Sequence, residues 1–189
     1  MLRIRTGYSF HSAFGHIEDV QKRLLAIGAT VAPIADRNST FGFNKWTKLA
    51  KKNGLRPVYG VELAVTPSLG ARKPILDFWT FIAKDSLVPL HELIAIATAN
   101  PGKEPSLTYQ QALKADVFKI AGERLLIDHV QTQDDFFLGL SPAVPRGLLN
   151  RAIQKGIKLA ACSDNYYPSA ADKELYRVAL GRRANTQTY

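Results

Sequence analysis

Only one cysteine, Cys162, occurs in the 189 residues, so no intramolecular disulfide can form and no multi-cysteine zinc site is available. Its expected role is a small apolar filler near the end of a strand. Histidine is nearly as scarce. His11, His16, His91 and His129 are the only four, and none falls into an H-x-H or H-E-x-x-H spacing, so the imidazole cluster of a hydrolytic metal centre is missing. Each is expected to sit on the surface or at a helix cap. The G-x-S-x-G elbow, the phosphate loop and the G-x-G-x-x-G turn are absent too, which removes the usual signatures of serine hydrolases, nucleotide hydrolases and dinucleotide enzymes. No apolar run approaches the roughly 20 residues that cross a bilayer. Arg3 and Arg5 interrupt the amino terminus where a signal-peptide core would lie. The chain is therefore expected to be soluble and cytoplasmic, with no membrane partner.

With 46% hydrophobic residues the chain can bury a full core, and residues 1–189 are expected to form one domain. Strand and helix patterns alternate. Residues 2–5 read as a short strand, followed by a polar turn over 6–15. Residues 17–26 read as a helix, with Ile17, Val20, Leu24 and Leu25 on one face and Glu18 and Asp19 in its first turn, where acidic groups suit the dipole. Residues 30–62 make the next unit, TVAPIADRNSTFGFNKWTKLAKKNGLRPVYGVE: an apolar run ending in Asp36, a helix over 43–52, and a second apolar run reaching Glu62. In a parallel sheet both carboxylates come near the carboxyl ends of their strands, the edge where such folds build their sites. Strands are expected again over 58–65, 76–83, 117–121, 136–140 and 158–162, and helices over 88–97, 108–114, 146–155 and 170–180. Residues 67–74 read as a surface loop, and residues 122–134 have no clear type. The alternation predicts a compact α/β fold, either barrel-like or an open doubly wound sheet.

Charge of both signs gathers at the expected strand ends. Arg3 and Arg5 close the first strand, Asp36 and Arg37 the second and Glu62 the third, while Glu123 and Asp164 follow later strands. If these strands share one rim, guanidinium groups face carboxylates across a cleft, and arginine offers forked donors to carboxylate oxygens. The formal charge of +9 is concentrated elsewhere as well. Lys45, Lys48, Lys51, Lys52 and Arg56 lie on or just after one helix, and Arg182 and Arg183 near the end of the chain. These fit either ordinary solvated faces or a surface that meets DNA, acidic protein or anionic lipid.

The stretches LRIRTGYSF, PIADRNSTFG, RPVYGVE, FWTFIAK, FFLGL and LAACSDNYYPSAADKELYRVALG, in this order, resemble the PHP domain at the amino terminus of bacterial replicative polymerases of the DNA polymerase III alpha family. The likeness spans nearly the whole chain and implies a distorted (β/α)7 barrel. In metal-binding members the rim holds up to three ions through histidines, carboxylates and sometimes a cysteine. Carried over position by position, the opening H-x-H falls on Arg3 and Arg5, and the Asp-His pair on Asp36 and Arg37. The glutamate falls on Glu62, the next histidine on Phe78, the cysteine position on Glu123, and the closing Asp-x-His on Asp164 and Tyr166. Three carboxylates remain and every histidine is replaced, and cations in place of neutral ligands repel a metal. The expectation is that no trinuclear hydrolysis survives and that Arg3, Arg5 and Arg37 pair with Asp36, Glu62, Glu123 and Asp164 in the electrostatic place of the ions.

In the family this domain is fused to polymerase regions that this chain does not include, so the chain is not expected to extend DNA by itself. Members that have lost the ligands support the polymerase or dock a separate proofreading exonuclease. The resemblance therefore implies a non-catalytic module of DNA replication, free-standing or a split counterpart of the polymerase domain, whose partners are a polymerase core or an exonuclease, with no cofactor. The chain is shorter than the family domain between Gly122 and Phe136, so a docking surface there is not assumed. Two rival expectations stand beside it: a remnant phosphoesterase holding a single metal on Asp36, Glu62 and Asp164, and a nucleic-acid-binding module using the basic helix.

Overall fold

The computed structural model describes residues 3–10, 12–71, 74–102, 104–162 and 165–184, without the side chains of residue 179 and residues 181–184. Leu2, His11 and Asp164 lie outside the described residues, as do the side chains of Arg182 and Arg183. Helices α1 (Ile17–Ala26), α2 (Phe43–Lys52), α3 (Val88–Ala99), α4 (Tyr109–Lys114), α5 (Arg146–Gln154) and α6 (Lys173–Ala184) alternate with strands β1 (Val31–Arg37), β2 (Arg56–Thr66), β3 (Asp77–Ile82), β4 (Ser106–Thr108), β5 (Phe118–Ala121), β6 (Phe136–Leu140) and β7 (Lys158–Ala161).

The sheet runs β1-β2-β3-β5-β6-β7. Its pairs are parallel except where β3 meets β2 and β5, so the sheet is mixed. The reversal has a simple cause. The described residues between β2 and β3 contain no helix, and without a crossover the chain returns antiparallel. The short β4, where no strand was expected, takes the far half of the β2 edge that β1 leaves free: β1 pairs with β2 only as far as Glu62, and β4 pairs with Ala64 to Thr66. With both edges occupied, β2 is buried without interruption from Gly60 to Thr66.

Side-chain alternation sorts the strands into two faces. Val61, Leu63 and Val65 of β2, with Trp79 and Phe81 of β3, pack outward against Leu90, Leu93 and Ala97 of α3. Ala32 and Ile34 of β1 pack outward beneath α1 and α2, where Trp46 donates its indole N–H to the Ala32 carbonyl at 2.9 Å and Gln21 reaches the Trp46 carbonyl at 2.9 Å. The other face carries a small apolar plug of Ile82, Ile120 and Cys162, so the cysteine is indeed an apolar filler. Glu62 and Thr80 are register partners on that same inner face.

Residues 3–6 are not a strand, contrary to the expectation for 2–5. Among the described residues they have one ladder-like bond, from the Ala35 N–H to the Ile4 carbonyl at 2.7 Å; on the other side the Arg5 N–H donates to the side chain of Asn165 at 2.9 Å, and the Asn165 amide donates back to the Arg5 carbonyl at 3.0 Å. A side-chain amide stands where a strand would have to be, so this segment links β1 to the chain beyond β7 without extending the sheet. Residues 122–134 hold a single 3-10 turn, Ile127–His129, and the last helix is preceded by another, Ala170–Asp172. His16, His91 and His129 are exposed.

Gly60 marks where β2 first meets β3. A Cβ there would stand 2.7 Å from the Phe81 carbonyl oxygen, which is backbone and cannot swing aside. Gly60→Ala is therefore expected to destabilise the fold by about 1–3 kcal/mol, as overpacking does, read as a lower urea midpoint with an unchanged slope.

Candidate functional site

Across the inner face one lateral row runs Arg37, Glu62, Thr80, Ile120, each the register partner of the next. Partners of this kind put their side chains side by side on one face. Glu62 is wholly buried at the centre of that row. The Arg37 Nε donates to Glu62 Oε1 at 2.7 Å, and Arg5 Nη2 donates to Oε2 at 2.5 Å. Arg3 approaches Oε2 at 3.7 Å while its Nε donates to Thr80 Oγ1 at 2.9 Å. Arg3 and Arg5 reach the same place because they alternate about Ile4, which packs outward under α1. One carboxylate thus holds three guanidinium groups.

The aromatic residues at two other rim positions join the same assembly. The Arg37 guanidinium lies over the Phe78 ring, 3.5 Å from its centre, and that of Arg5 lies 5.5 Å from the centre of Tyr166, whose ring stacks on Tyr176. Such contacts strengthen when desolvated. The cleft above them has a volume of about 320 Å³ and is bordered also by Glu123 and Arg124. Glu123 and Arg124 are exposed. Glu123 makes no ion pair among the described residues, so it stands at the mouth and not in the cluster.

Asp36 is buried and feels the charge of Arg5, but its hydrogen bonds go to the turn after Arg5 and not to the cluster on Glu62, which corrects the expectation that it pairs with the guanidiniums there. It precedes Arg37 by one residue, so its side chain leaves the opposite face of β1, on the side of Ala32 and Ile34. There it accepts from the Thr6 N–H at 2.6 Å, the Thr6 hydroxyl at 2.9 Å and the Ser9 hydroxyl at 2.6 Å. Burial raises its pKa above the ordinary carboxylate value, against the opposing pull of these donors. Asp36 is the brace of the turn that follows Arg5.

Asp77, at the start of β3, carried no sequence signal and is the second carboxylate that shapes the cleft. It accepts from the Trp79 indole at 2.8 Å and from the backbone N–H groups of Gly122 and Arg124 at 3.1 Å each. These bonds pin the loop after β5 against the cleft. A Cβ on Gly122 would stand 2.3 Å from Asp77 Oδ1, so the approach requires glycine. Desolvation raises the Asp77 pKa to about 6 despite the donors. Arg124, Thr80 and Asn165 were likewise missed, because each acts through spatial pairing that no local pattern encodes.

A multi-ion centre does not fit these residues. Both Glu62 oxygens are taken by guanidinium donors, and both Asp36 oxygens are committed to the turn on the other face. Among the described residues no three His, Cys, Asp or Glu side chains come together as a metal site. Arg37 and Arg124 face the cleft with donors that have no protein acceptor among the described residues, so the arrangement suits an anion over a cation.

The fold and the cluster together define a mixed α/β domain with a carboxylate–guanidinium knot on the inner face of its sheet. The chain belongs to the PHP domain family, whose model matches residues 1–179. Among solved structures it is similar to a protein from Bifidobacterium adolescentis that carries the name of a metal-dependent phosphoesterase, with TM-score 0.57, 12% identity, and coverage of 87% of this chain and 86% of the other. It is also similar to an amidohydrolase from Chromobacterium violaceum with bound sulfate and no metal, with TM-score 0.54, 13% identity, and coverage of 89% and 87%. At such identities the likeness is one of fold. No curated protein matches the chain.

Two measurements test the site. Arg5→Ala leaves the buried Glu62 without its shortest partner and is expected to lower stability by about 3–5 kcal/mol, whereas Lys51→Ala, on an exposed helix face, should change it by less than about 0.5 kcal/mol; equal small losses in urea melts refute the knot. Asp77 binds its proton more tightly in the folded state than in the unfolded one, so its ionisation opposes folding above about pH 6 and that penalty is relieved as pH falls towards 3.8. From pH 7 to pH 5 the wild type should therefore gain about 1 kcal/mol on Asp77→Asn. The Asp36 contribution is common to both proteins and cancels in the difference.

Proposed function

We propose that this chain is a non-catalytic PHP module of DNA replication, a free-standing or split counterpart of the amino-terminal domain of the polymerase III alpha family, serving as a scaffold for a polymerase core or a proofreading exonuclease in the cytoplasm. The observation that carries the loss of catalysis is the grip of Arg3, Arg5 and Arg37 on Glu62. A guanidinium neutralises a carboxylate as a metal does but cannot activate water, because it does not give up its proton in proteins and has no open ligand position. The replication context is supported by the ordered resemblance of the six stretches from residue 2 to residue 181. The name of the first structural neighbour, a metal-dependent phosphoesterase, supports descent of the cleft from a metal-dependent hydrolase. On this reading the fold is a distorted (β/α)7 barrel, with residues 3–6 filling the seam between β1 and the segment after β7.

The rival, a phosphoesterase holding one metal on Asp36, Glu62 and Asp164, would need Glu62 and Asp36 to turn towards one ion, and they leave opposite faces of the sheet, while Asp164 lies outside the described residues. Elemental analysis of chelator-free protein, together with a phosphodiesterase assay, separates the two readings. The expected result is no stoichiometric zinc or manganese and no turnover. Tightly bound metal with turnover abolished in Asp36→Ala overturns the proposal. The scaffold role is tested by capture from the native host, in which a polymerase subunit or an exonuclease should be retained and should be lost on competition with excess untagged protein.

A further inference from the structure

Two guanidinium groups from distant parts of the chain line the cleft with donors to spare. Arg37 stands at the end of β1. Its Nε–H goes to Glu62 at 2.7 Å, its guanidinium lies over the Phe78 ring at 3.5 Å, and its backbone N–H is held by the Ser9 hydroxyl at 2.9 Å. The Nη donors have no protein acceptor among the described residues, and the side chain is 25% exposed where it borders the cleft. Arg124 reaches the same cleft from the loop after β5. Asp77 braces that loop through the N–H groups of Gly122 and Arg124, at 3.1 Å each, while the Arg124 side chain is exposed and likewise has no acceptor among the described residues. A guanidinium fixed by its Nε edge and by a ring face is prepared for an acceptor with two oxygens, because its paired Nη donors meet both oxygens of a carboxylate at once.

The rest of the lining decides which anion fits. Leu76, Phe78, Ala143 and Tyr166 contribute apolar surface, so the ligand carries an organic body beside its charge. Asp77 and Glu123 border the same space. The oxygens of Asp77 are already engaged by the Trp79 indole and the two loop N–H groups, and Glu123 is exposed at the mouth. A carboxylate placed there repels a dianion about twice as strongly as a monoanion. At about 320 Å³ the space lies at the small end of ligand sites. It is too small for a folded partner and suits a short acid or one terminal residue of a chain.

We propose that the cleft is a pocket for the carboxylate of a small organic monoacid, held by Arg37 and Arg124 with its apolar part against Leu76 and Ala143. Arg3 and Arg5 are engaged on Glu62 and serve as the frame. Two sources carry this chemistry, a free acid and the carboxyl-terminal residue of a polypeptide, and capture of the second kind gives a scaffold a point of attachment. The inference rests on the reading that the cleft takes no metal, and it names the class of ligand that the same cleft takes.

The test is calorimetric titration of the full chain, treated with chelator, using isocaproate, acetyl-glycyl-leucine, the carboxyl-terminal amide of that dipeptide, and inorganic phosphate. Isocaproate and the free-acid dipeptide are expected to bind with Kd on the order of 1 mM or below. The amide should bind at least about tenfold more weakly, and phosphate more weakly than either acid. Tighter binding of the dipeptide than of isocaproate points to a polypeptide terminus as the source, and the reverse order to a free acid. Arg124→Ala should weaken binding of the acids about tenfold and leave Tm unchanged, since its side chain is exposed. Arg37→Lys keeps the charge beside Glu62 but removes the fork, and should weaken binding as well; because it also touches the knot, thermal melts accompany it, and Arg124→Ala decides the matter if it unfolds. Glu123→Gln should tighten binding, and Lys48→Glu on α2 should leave it unchanged. Phosphate binding more tightly than the acids overturns the proposal. So does equal affinity for the amide, no effect of Arg124→Ala, or no saturable heat up to about 20 mM acid. Those results leave the metal-free reading intact, whereas stoichiometric zinc or manganese in untreated protein overturns that reading and the proposal with it.

Discussion

Taking a carboxylate out of water costs several kcal/mol unless it is paired, and β2 takes Glu62 out of water completely. The strand is held on both edges, its outward residues are locked beneath α3, and alternation leaves Glu62 no direction but inward. Guanidinium groups have to come to it. Arg37 comes from the adjoining strand, and Arg3 and Arg5 come from the segment that lies along β1. The arginines thereby tie the amino-terminal segment to the middle of the sheet, while Asn165 ties it to the far end. Without that knot the link between β1 and the chain beyond β7 would depend on few bonds.

Much of this was legible in the sequence because it depends on short-range pattern. The helices 17–26 and 43–52 and the strand 136–140 fall where periodicity sets them, and the Arg-Ile-Arg alternation points two charges the same way. The short helix after Thr108 begins with a capping box to Gln111. What was not legible depends on parity and register. Asp36 and Glu62 both stand near strand ends, but they differ by one step of alternation, and a single step exchanges the faces of a sheet. Asp77 lies before FWTFI with nothing to mark it, since its partners Gly122 and Arg124 are 45 and 47 residues away. The reversal of β3 likewise follows from a helix that is missing, and a loop rich in glycine and proline does not say which way the next strand runs.

Opposite the cleft, the sheet has a second set of charges with another purpose. Lys119 is buried on β5 and donates to Asp135 at 2.8 Å, while Lys84 joins Asp135 at 2.8 Å and Asp116 at 2.6 Å. Burial pushes the Asp135 carboxyl up, yet the two ammonium partners hold it below the usual range. Here each charge has its counter-charge, and the network reads as a clamp between the starts of β5 and β6 and the end of β3. The cleft differs in that, among the described residues, three guanidiniums gather on the single carboxylate of Glu62.

The residues of the rim make sense only as a set. A metal centre does two things with one group: it neutralises clustered carboxylates and it offers an open position to water. Guanidiniums retain the first property and lack the second. Because they are planar and larger than an ion, they also need flat surfaces to lie against, and the two aromatic residues at neighbouring rim positions supply them, Phe78 beneath Arg37 and Tyr166 beneath Arg5. Removing any one of these arginines or rings would leave Glu62 short of a partner or a guanidinium without its ring. The rings, the guanidiniums and the carboxylate therefore act as one unit, each depending on the others for its place.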